Sequence, residues 1–180
     1  MRVYKFIGPK WGIDNLKNRH LKIGEFPDLN DPFELLPFVF PDAESEEAVL
    51  SWREDEGKEH GLCRYSRTPT NPVMWAHYTE NHRGLCLGLE VPDAPEGTPE
   101  KLASPDHHAY LHPVTYVDTP YIFPVSSDGL NEELICRFLY TKFDHWRYED
   151  EFRVYTTITD RNKKGLCFVN FGVNLVESTR

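Results

Sequence analysis

The chain has 180 residues, 39% of them hydrophobic and 13% aromatic, enough for one domain with a real core. Its formal net charge of −9 argues against a broad nucleic-acid or anionic-membrane surface, because phosphate binding needs a local excess of Lys and Arg. A small basic cluster at Arg64, Arg67, His82 and Arg83 is explained as well by a solvated surface as by a binding patch. Cys63, Cys86, Cys136 and Cys167 make no CxxC pair, which disfavours a zinc ribbon or redox motif. Three of them follow Gly-Leu in apolar runs and read as small core residues, so reduced thiols and a cytoplasmic protein are expected. No signal region is apparent at the N-terminus, and no run reaches the ~18 apolar residues of a membrane span.

In chain order, residues 3–7 read as a strand broken by Gly8-Pro9, and Ile13, Leu16 and Lys17 suggest a short helix. Leu21-Lys22-Ile23 is a second strand. Asp31-Pro32-Phe33-Glu34 has the form of a capping box, with Asp at the cap, Pro at the first helical position and Glu three after the cap. Residues 43–59 read as an acidic amphipathic helix with Val49, Leu50 and Trp52 inward. Residues 61–66 are a strand. Asn71-Pro72 then starts a helix running to about Asn81, with Gly84 suited to its C-terminal turn. Leu85 to Val91 carries almost no polar residue and is expected to be a central strand. Residues 92–113 form a Pro-rich loop, followed by a strand at 114–117. Leu130, Leu134, Ile135, Phe138 and Leu139 mark one helical stripe. Strands at 151–158 and 166–171 close the chain. The irregular alternation, without G-x-G-x-x-G or a P-loop, favours a mixed α+β domain over a doubly wound sheet.

The stretch Trp146 to Arg153, read as a strand, sends Tyr148, Asp150, Phe152 and Val154 one way and Glu149, Glu151 and Arg153 the other. Two carboxylates and a guanidinium within five residues make either a clamping site or a solvated face with ion pairs worth little.

Four ordered segments carry a resemblance. They are Tyr4-Lys5-Phe6; Leu29-Asn30-Asp31-Pro32-Phe33-Glu34; Tyr65-Ser66 with Asn71 to Tyr78 and His82-Arg83-Gly84; and Lys142 with Trp146 to Arg153. Together they resemble the bacterial domain of unknown function numbered 2971, with nearly the whole chain, 1–180, as one such domain. Family members usually continue past the strand near residue 170, so the resemblance implies a shortened C-terminal element. A second resemblance is to the ADP-ribosyltransferase fold. That fold has an aromatic or His on its first strand, a Ser or Tyr on a middle strand before a helix, and a Glu on a later strand. Tyr4, Ser66 and Glu151 stand in that order; Tyr4-Lys5 departs from the usual His-Gly or Arg-type start. This likeness implies an α+β domain with a split or strongly bent sheet and flanking helices.

It also implies NAD as substrate. Cleaving the nicotinamide–ribose bond develops positive charge on the ribose, as in glycoside hydrolysis, and a carboxylate there stabilises it. Glu151 is assigned that role, and Glu149 orients or deprotonates the acceptor. Ser66 holds a ribose or the nicotinamide amide, with Tyr4, Lys5 and Asn30 beside the ligand. Arg153 or Lys142 meets a phosphate. Trp75 and Tyr78 stack on a flat ring, although such residues are as readily core. His77 reads either as a hydrogen-bonded His or as a general base. His77 and His82 are five apart, which disfavours a metal pair, and His107, His108 and His112 have no completing ligand, so no metal site is assigned.

The expected ligand cleft lies between the helix at 72–81 and the strand at 149–157. The leading reading is an ADP-ribosyltransferase-like enzyme, a transferase or NAD glycohydrolase in the style of a toxin or anti-phage effector, with a protein or nucleic-acid acceptor. The alternative is a non-catalytic module that senses a nucleotide or holds a partner protein, with the acidic helix at 43–59 as an interaction face. A third, a metal-dependent nuclease using Glu149, Glu151 and Asp31, has suitable carboxylates but is disfavoured by acidity. Neither an oligomeric state nor a membrane partner is indicated.

Overall fold

The computed structural model describes residues 1–29, 34–91, 111–124 and 130–171, with the backbone alone at Asp28. The elements run β1 (Arg2–Ile7), α1 (Pro9–Asn18), β2 (His20–Lys22), β3 (Gly24–Glu25), β4 (Phe38–Val39), α2 (Ala43–Glu59), β5 (His60–Ser66), α3 (Pro72–Tyr78) and β6 (Leu85–Glu90). After residue 110 come β7 (Leu111–Pro113), β8 (Thr115–Val117), β9 (Tyr121–Ile122), α4 (Glu132–Tyr140), β10 (Thr141–Phe143), β11 (Glu151–Thr157) and β12 (Phe168–Asn170). Short 3-10 turns occupy Phe26–Asp28 and Asp144–Glu149.

The main sheet has the order β6-β1-β5-β11-β7, with β3 also on β5, and its pairings are antiparallel. The fold is mixed α+β with a strongly bent sheet. The pairing of β1 explains part of the bend. It matches β6 over its whole length, from Arg2↔Glu90 to Ile7↔Leu85, but meets β5 only at Tyr4↔Ser66. Beyond that pair β1 and β5 part. Lys5 Nζ reaches across the gap and donates to the Arg64 carbonyl at 3.0 Å, so a side chain satisfies a backbone group that faces the opening.

One face of the sheet carries Val3, Cys63, Tyr65, Leu87, Leu89, Phe152 and Val154, packed with Leu21, Ile23 and Cys167. Behind the other face, Leu62 and Tyr155 meet Phe26, Leu35 and Leu139. A third cluster joins Phe38, Val49, Leu134 and Phe138, with the Trp52 ring 5.3 Å from Phe138. All four cysteines are free thiols, Cys63 and Cys167 fully buried and Cys86 and Cys136 partly so.

Capping follows local chemistry. Asp42, Asn71 and Asn131 each accept a hydrogen bond from a first-turn N–H of α2, α3 and α4, satisfying donors that have no partner inside the helix. α3 ends at Tyr78, earlier than the apolar pattern suggests. Glu80, Asn81 and His82 follow with φ of 53°, 57° and 63°, closed by Arg83 N–H donating to the Thr79 carbonyl at 2.9 Å. Gly84 is needed for close approach: a Cβ there would lie 2.1 Å from the Ile7 carbonyl oxygen.

Several expectations change. In α1 the buried residues are Gly12 and Asn15, while Ile13 and Leu16 are exposed; the Gly12 surface admits Leu85, whose Cδ1 would be 2.6 Å from an added Cβ. Leu50 points outward from α2, leaving Val49 and Trp52 as its inward face. Among the described residues β6 pairs only with β1, at one end of the strand order. The apolar content of β6 is explained by α1 and the core cluster on its faces. His112 lies in β7, opposite Arg153, not in a loop. Asn30, Asp31, Pro32 and Phe33, and with them the start of the proposed capping box, lie outside the described residues, as do His107 and His108. Glu34 itself is fully buried beside Leu35, which has φ 65°. Among the described residues no helix is long and apolar enough to cross a membrane.

Candidate functional site

The register brings the three residues chosen for their order into one row. Tyr4 faces Ser66 across β1 and β5, and Ser66 faces Glu151 across β5 and β11. Cross-strand partners in antiparallel sheets project from the same face, so Tyr4, Ser66 and Glu151 stand side by side. α3 crosses β1, and Met74 and Tyr78 descend from it to close a cavity of about 60 Å³ over this row, lined also by Lys5, Phe6, Arg64, Tyr65 and Glu149. Lys5 and Tyr65 belong by alternation to the opposite face from Tyr4, Phe6, Arg64 and Ser66. Both sets line one cavity because the sheet is open between β1 and β5.

Glu149 reaches the cavity by a different route from the strand expected. Residues 144–149 form a 3-10 turn, and Asp150 adopts a left-handed conformation with φ 42°. Strict alternation thus begins only at Glu151, and Glu149 joins Glu151 because the turn folds it back. The two carboxylates converge on the Lys142 ammonium, which donates to Glu149 Oε2 at 2.6 Å and Glu151 Oε2 at 3.1 Å. Arg153 Nε donates to Glu151 Oε1 at 2.8 Å, and its other nitrogens donate to the Leu139 carbonyl at 2.5 Å and to Glu34. Arg64 lies 3.5 Å from the second Glu34 oxygen. Tyr78 donates its hydroxyl proton to Glu149, and the Tyr116 hydroxyl accepts from the Glu151 N–H at 2.8 Å.

This is no solvated strand face. Glu34, Lys142, Glu149, Glu151 and Arg153 expose 1%, 2%, 3%, 4% and 0% of their surface. Away from water these charges interact strongly, and each depends on its partners. Burial alone pushes the Glu151 carboxyl up, but Arg153 and Lys142 outweigh it and hold the group well below the usual carboxylate range. Glu149 is raised, chiefly by burial and further by Glu151, with Lys142 opposing. The pair is driven apart, one carboxyl held down and its neighbour pushed up, a pattern that can separate acid and base roles. Burial and the nearby Arg64 lower the Lys5 ammonium to about 8.

The remaining candidates are dispersed. Trp75 donates its indole N–H to the Pro69 carbonyl at 2.7 Å and packs edge-on against Phe6 at 5.4 Å, behind the cavity wall. His77 is exposed on α3, with Nδ1 3.3 Å from the Tyr148 hydroxyl. Asn30 lies outside the described residues. Ser66 Oγ donates to the Thr68 carbonyl at 3.3 Å. Glu149 and Glu151 are occupied by Lys142 and Arg153, and among the described residues no cluster of three His, Cys, Asp or Glu is arranged to hold a metal ion.

Sequence reading missed Arg64, Glu34 and Tyr116 as members of the site. Arg64 had a usable signal, since it precedes Ser66 by two on the same strand and therefore shares its face. Glu34 and Tyr116 had none, because they meet Arg153 and Glu151 from segments 119 and 35 residues away.

No curated protein and no solved structure matches the chain. Residues 74–154, which include most of α3 and Lys142, Glu149, Glu151 and Arg153, match the sequence profile of a family described as "Protein of unknown function (DUF2971)", and over that stretch the chain is similar to that family.

Proposed function

We propose that the protein is an ADP-ribosyltransferase-like enzyme acting on NAD at the cavity between β1 and β5. The observation carrying this reading is the row Tyr4–Ser66–Glu151 across adjacent strands, set at the opening of the sheet. In the proposed reaction the nicotinamide–ribose C–N bond breaks, nicotinamide leaves with the bonding pair, and positive charge develops on the ribose. The ionised Glu151 carboxylate stabilises that charge and accepts a ribose hydroxyl hydrogen bond. Glu149 exchanges a proton with the acceptor as the new bond to the ribose forms, a task suited to a carboxyl with a raised pKa. Lys142 holds both carboxylates in place. The cavity of about 60 Å³ takes one small group, so the rest of the dinucleotide lies outside it.

A second reading, a non-catalytic nucleotide-binding module, is supported by the occupancy of Glu151. Both its oxygens already accept from Arg153 and Lys142, which reduces the negative charge offered to a ribose cation.

Nicotinamide release from NAD separates the two. The enzyme reading expects release by the parent and its loss in Glu151→Gln. Because Glu151 neutralises two buried cations, the melting temperature of each sample is recorded alongside, and Glu149→Gln serves as a second variant. No release from a folded parent that NAD stabilises against heat favours the binding module. Release that persists in folded Glu151→Gln removes the proposed role of Glu151.

A further inference from the structure

A larger cavity lies apart from the row Tyr4–Ser66–Glu151. It has a volume of about 310 Å³ and is walled by residues of β7, β8, β9, α4 and β10. Small-molecule sites occupy about 300–1,000 Å³, so this cavity admits a ring where the one of about 60 Å³ takes a single small group. It adjoins the buried network along the chain. Leu139 gives its carbonyl to Arg153, Tyr140 and Thr141 line the cavity, and Lys142 turns back to the carboxylates.

The ions of its lining are Arg137 and Glu133, and they pair with each other at 2.9 Å. The described lining therefore holds no unmatched carboxylate or guanidinium, which favours an uncharged ligand group. Its walls include two flat stacks. The Arg137 guanidinium carbon lies 4.6 Å from the centroid of the Tyr121 ring, and the His112 and Tyr140 rings stand 4.6 Å apart with planes 32° from parallel. Flat π-surfaces of this kind suit a planar ring.

Two hydroxyls of the lining point to an edge with hydrogen-bonding groups. Among the described residues neither the Tyr140 nor the Thr141 hydroxyl has a hydrogen-bond partner, although Thr141 is 4% exposed. Burial, with the Cys136 thiol adding to it, raises the Tyr140 hydroxyl, so it keeps its proton and can donate. Hydroxyls this far from bulk water are ordinarily bonded, and a ligand edge supplies the partners. We propose that this cavity is a binding site for an uncharged planar heteroaromatic ring of the nucleobase kind, set against the His112–Tyr140 and Arg137–Tyr121 stacks and hydrogen-bonded at its edge by Tyr140 and Thr141. The site goes beyond the NAD chemistry proposed above, since it needs no reacting bond.

The test is calorimetric titration of the protein with adenosine and with uridine, and with ribose as the ringless control. At least one nucleoside is expected to bind with a Kd of about 1 mM or tighter, and ribose is not. Tyr140→Phe and Thr141→Val each remove one hydroxyl at nearly constant volume, and each weakens binding about three- to tenfold, the factor one hydrogen bond supplies. Lys10→Met, on the surface beside Trp11, leaves it unchanged. The melting temperature of each variant shows that it is folded. NAD as competitor identifies the source: displacement assigns the ring to a dinucleotide, and no displacement assigns it to a free base or nucleoside. The proposal is overturned if neither nucleoside binds, if ribose binds as well as they do, or if the affinity is unchanged in both hydroxyl variants. None of these outcomes bears on nicotinamide release, which fails or succeeds separately.

Discussion

Replacing Arg153 is the sharpest probe of the buried network. Its guanidinium donates to three acceptors, the Glu151 carboxylate, the Glu34 carboxylate and the Leu139 carbonyl, and none of its surface is exposed. Arg153→Met leaves two buried carboxylates short of a cation, which costs about 3–5 kcal/mol. Arg153→Lys keeps the charge but not the planar fork. It retains one of three bonds, and losing two charge-assisted bonds costs about 1.5–3 kcal/mol each; the retained attraction puts the total near the lower end, about 3 kcal/mol. Urea unfolding followed by circular dichroism measures both, provided the slope is unchanged. The cost should also depend on pH. The folded Glu151 carboxyl is held below its unfolded value, so its contribution is complete above about pH 4.5 and disappears as pH falls further. Without Arg153 that contribution is already missing, and the parent and variant curves converge in acid. A loss below about 1 kcal/mol at pH 7, or a loss unchanged between pH 7 and 3, would refute the view that Arg153 neutralises these carboxylates.

Glu149→Gln should cost less than Glu151→Gln at pH 7 in the same unfolding assay. A raised carboxyl pKa contributes stability at low pH that is lost as pH rises through the folded value, so the parent carries that loss at neutral pH and the amide does not. Lys5→Met should stabilise the protein at pH 7 by about 1–2 kcal/mol, the relief of a buried ammonium less one lost hydrogen bond. Its folded value of about 8 lies below 10.5, so the parent gains stability between those pH values and the advantage of the variant shrinks there; a constant advantage would contradict the assignment. Asn71 both caps α3 and donates to the Tyr148 carbonyl at 2.6 Å, and Asn71→Ala should lower stability by about 2 kcal/mol, read as a fall in urea midpoint. Gly84→Ala forces a methyl against the Ile7 carbonyl and should give a larger fall still, with no soluble folded protein as the extreme result; an unchanged midpoint would show that the loop has room.

Much of the architecture was legible in the chain because it depends on neighbours a few residues apart. Asn71-Pro72 marks the start of α3, the stripe through Leu134 and Phe138 marks α4, and the strand read at residues 61–66 is β5. The acidic helix at 43–59 has the bounds of α2, since Asp42 caps it locally. Where burial is decided by another segment, the pattern misled. Leu50 reads as inward but faces outward, and β6 reads as central from its apolar sequence, while among the described residues it pairs only with β1.

The site divides along the same line. The residue types and their order, Tyr4, Ser66, then Glu149 to Arg153 with Lys142 before them, are properties of the sequence. That Tyr4, Ser66 and Glu151 share a row is decided by strand register, which no single strand specifies. That Glu149 faces Glu151 is decided by a left-handed Asp150 rather than by alternation. That Lys142 and Arg153 meet Glu34, Glu149 and Glu151 is decided by the packing of separate elements, because electrostatic interaction depends on distance in space and the sequence records only distance along the chain.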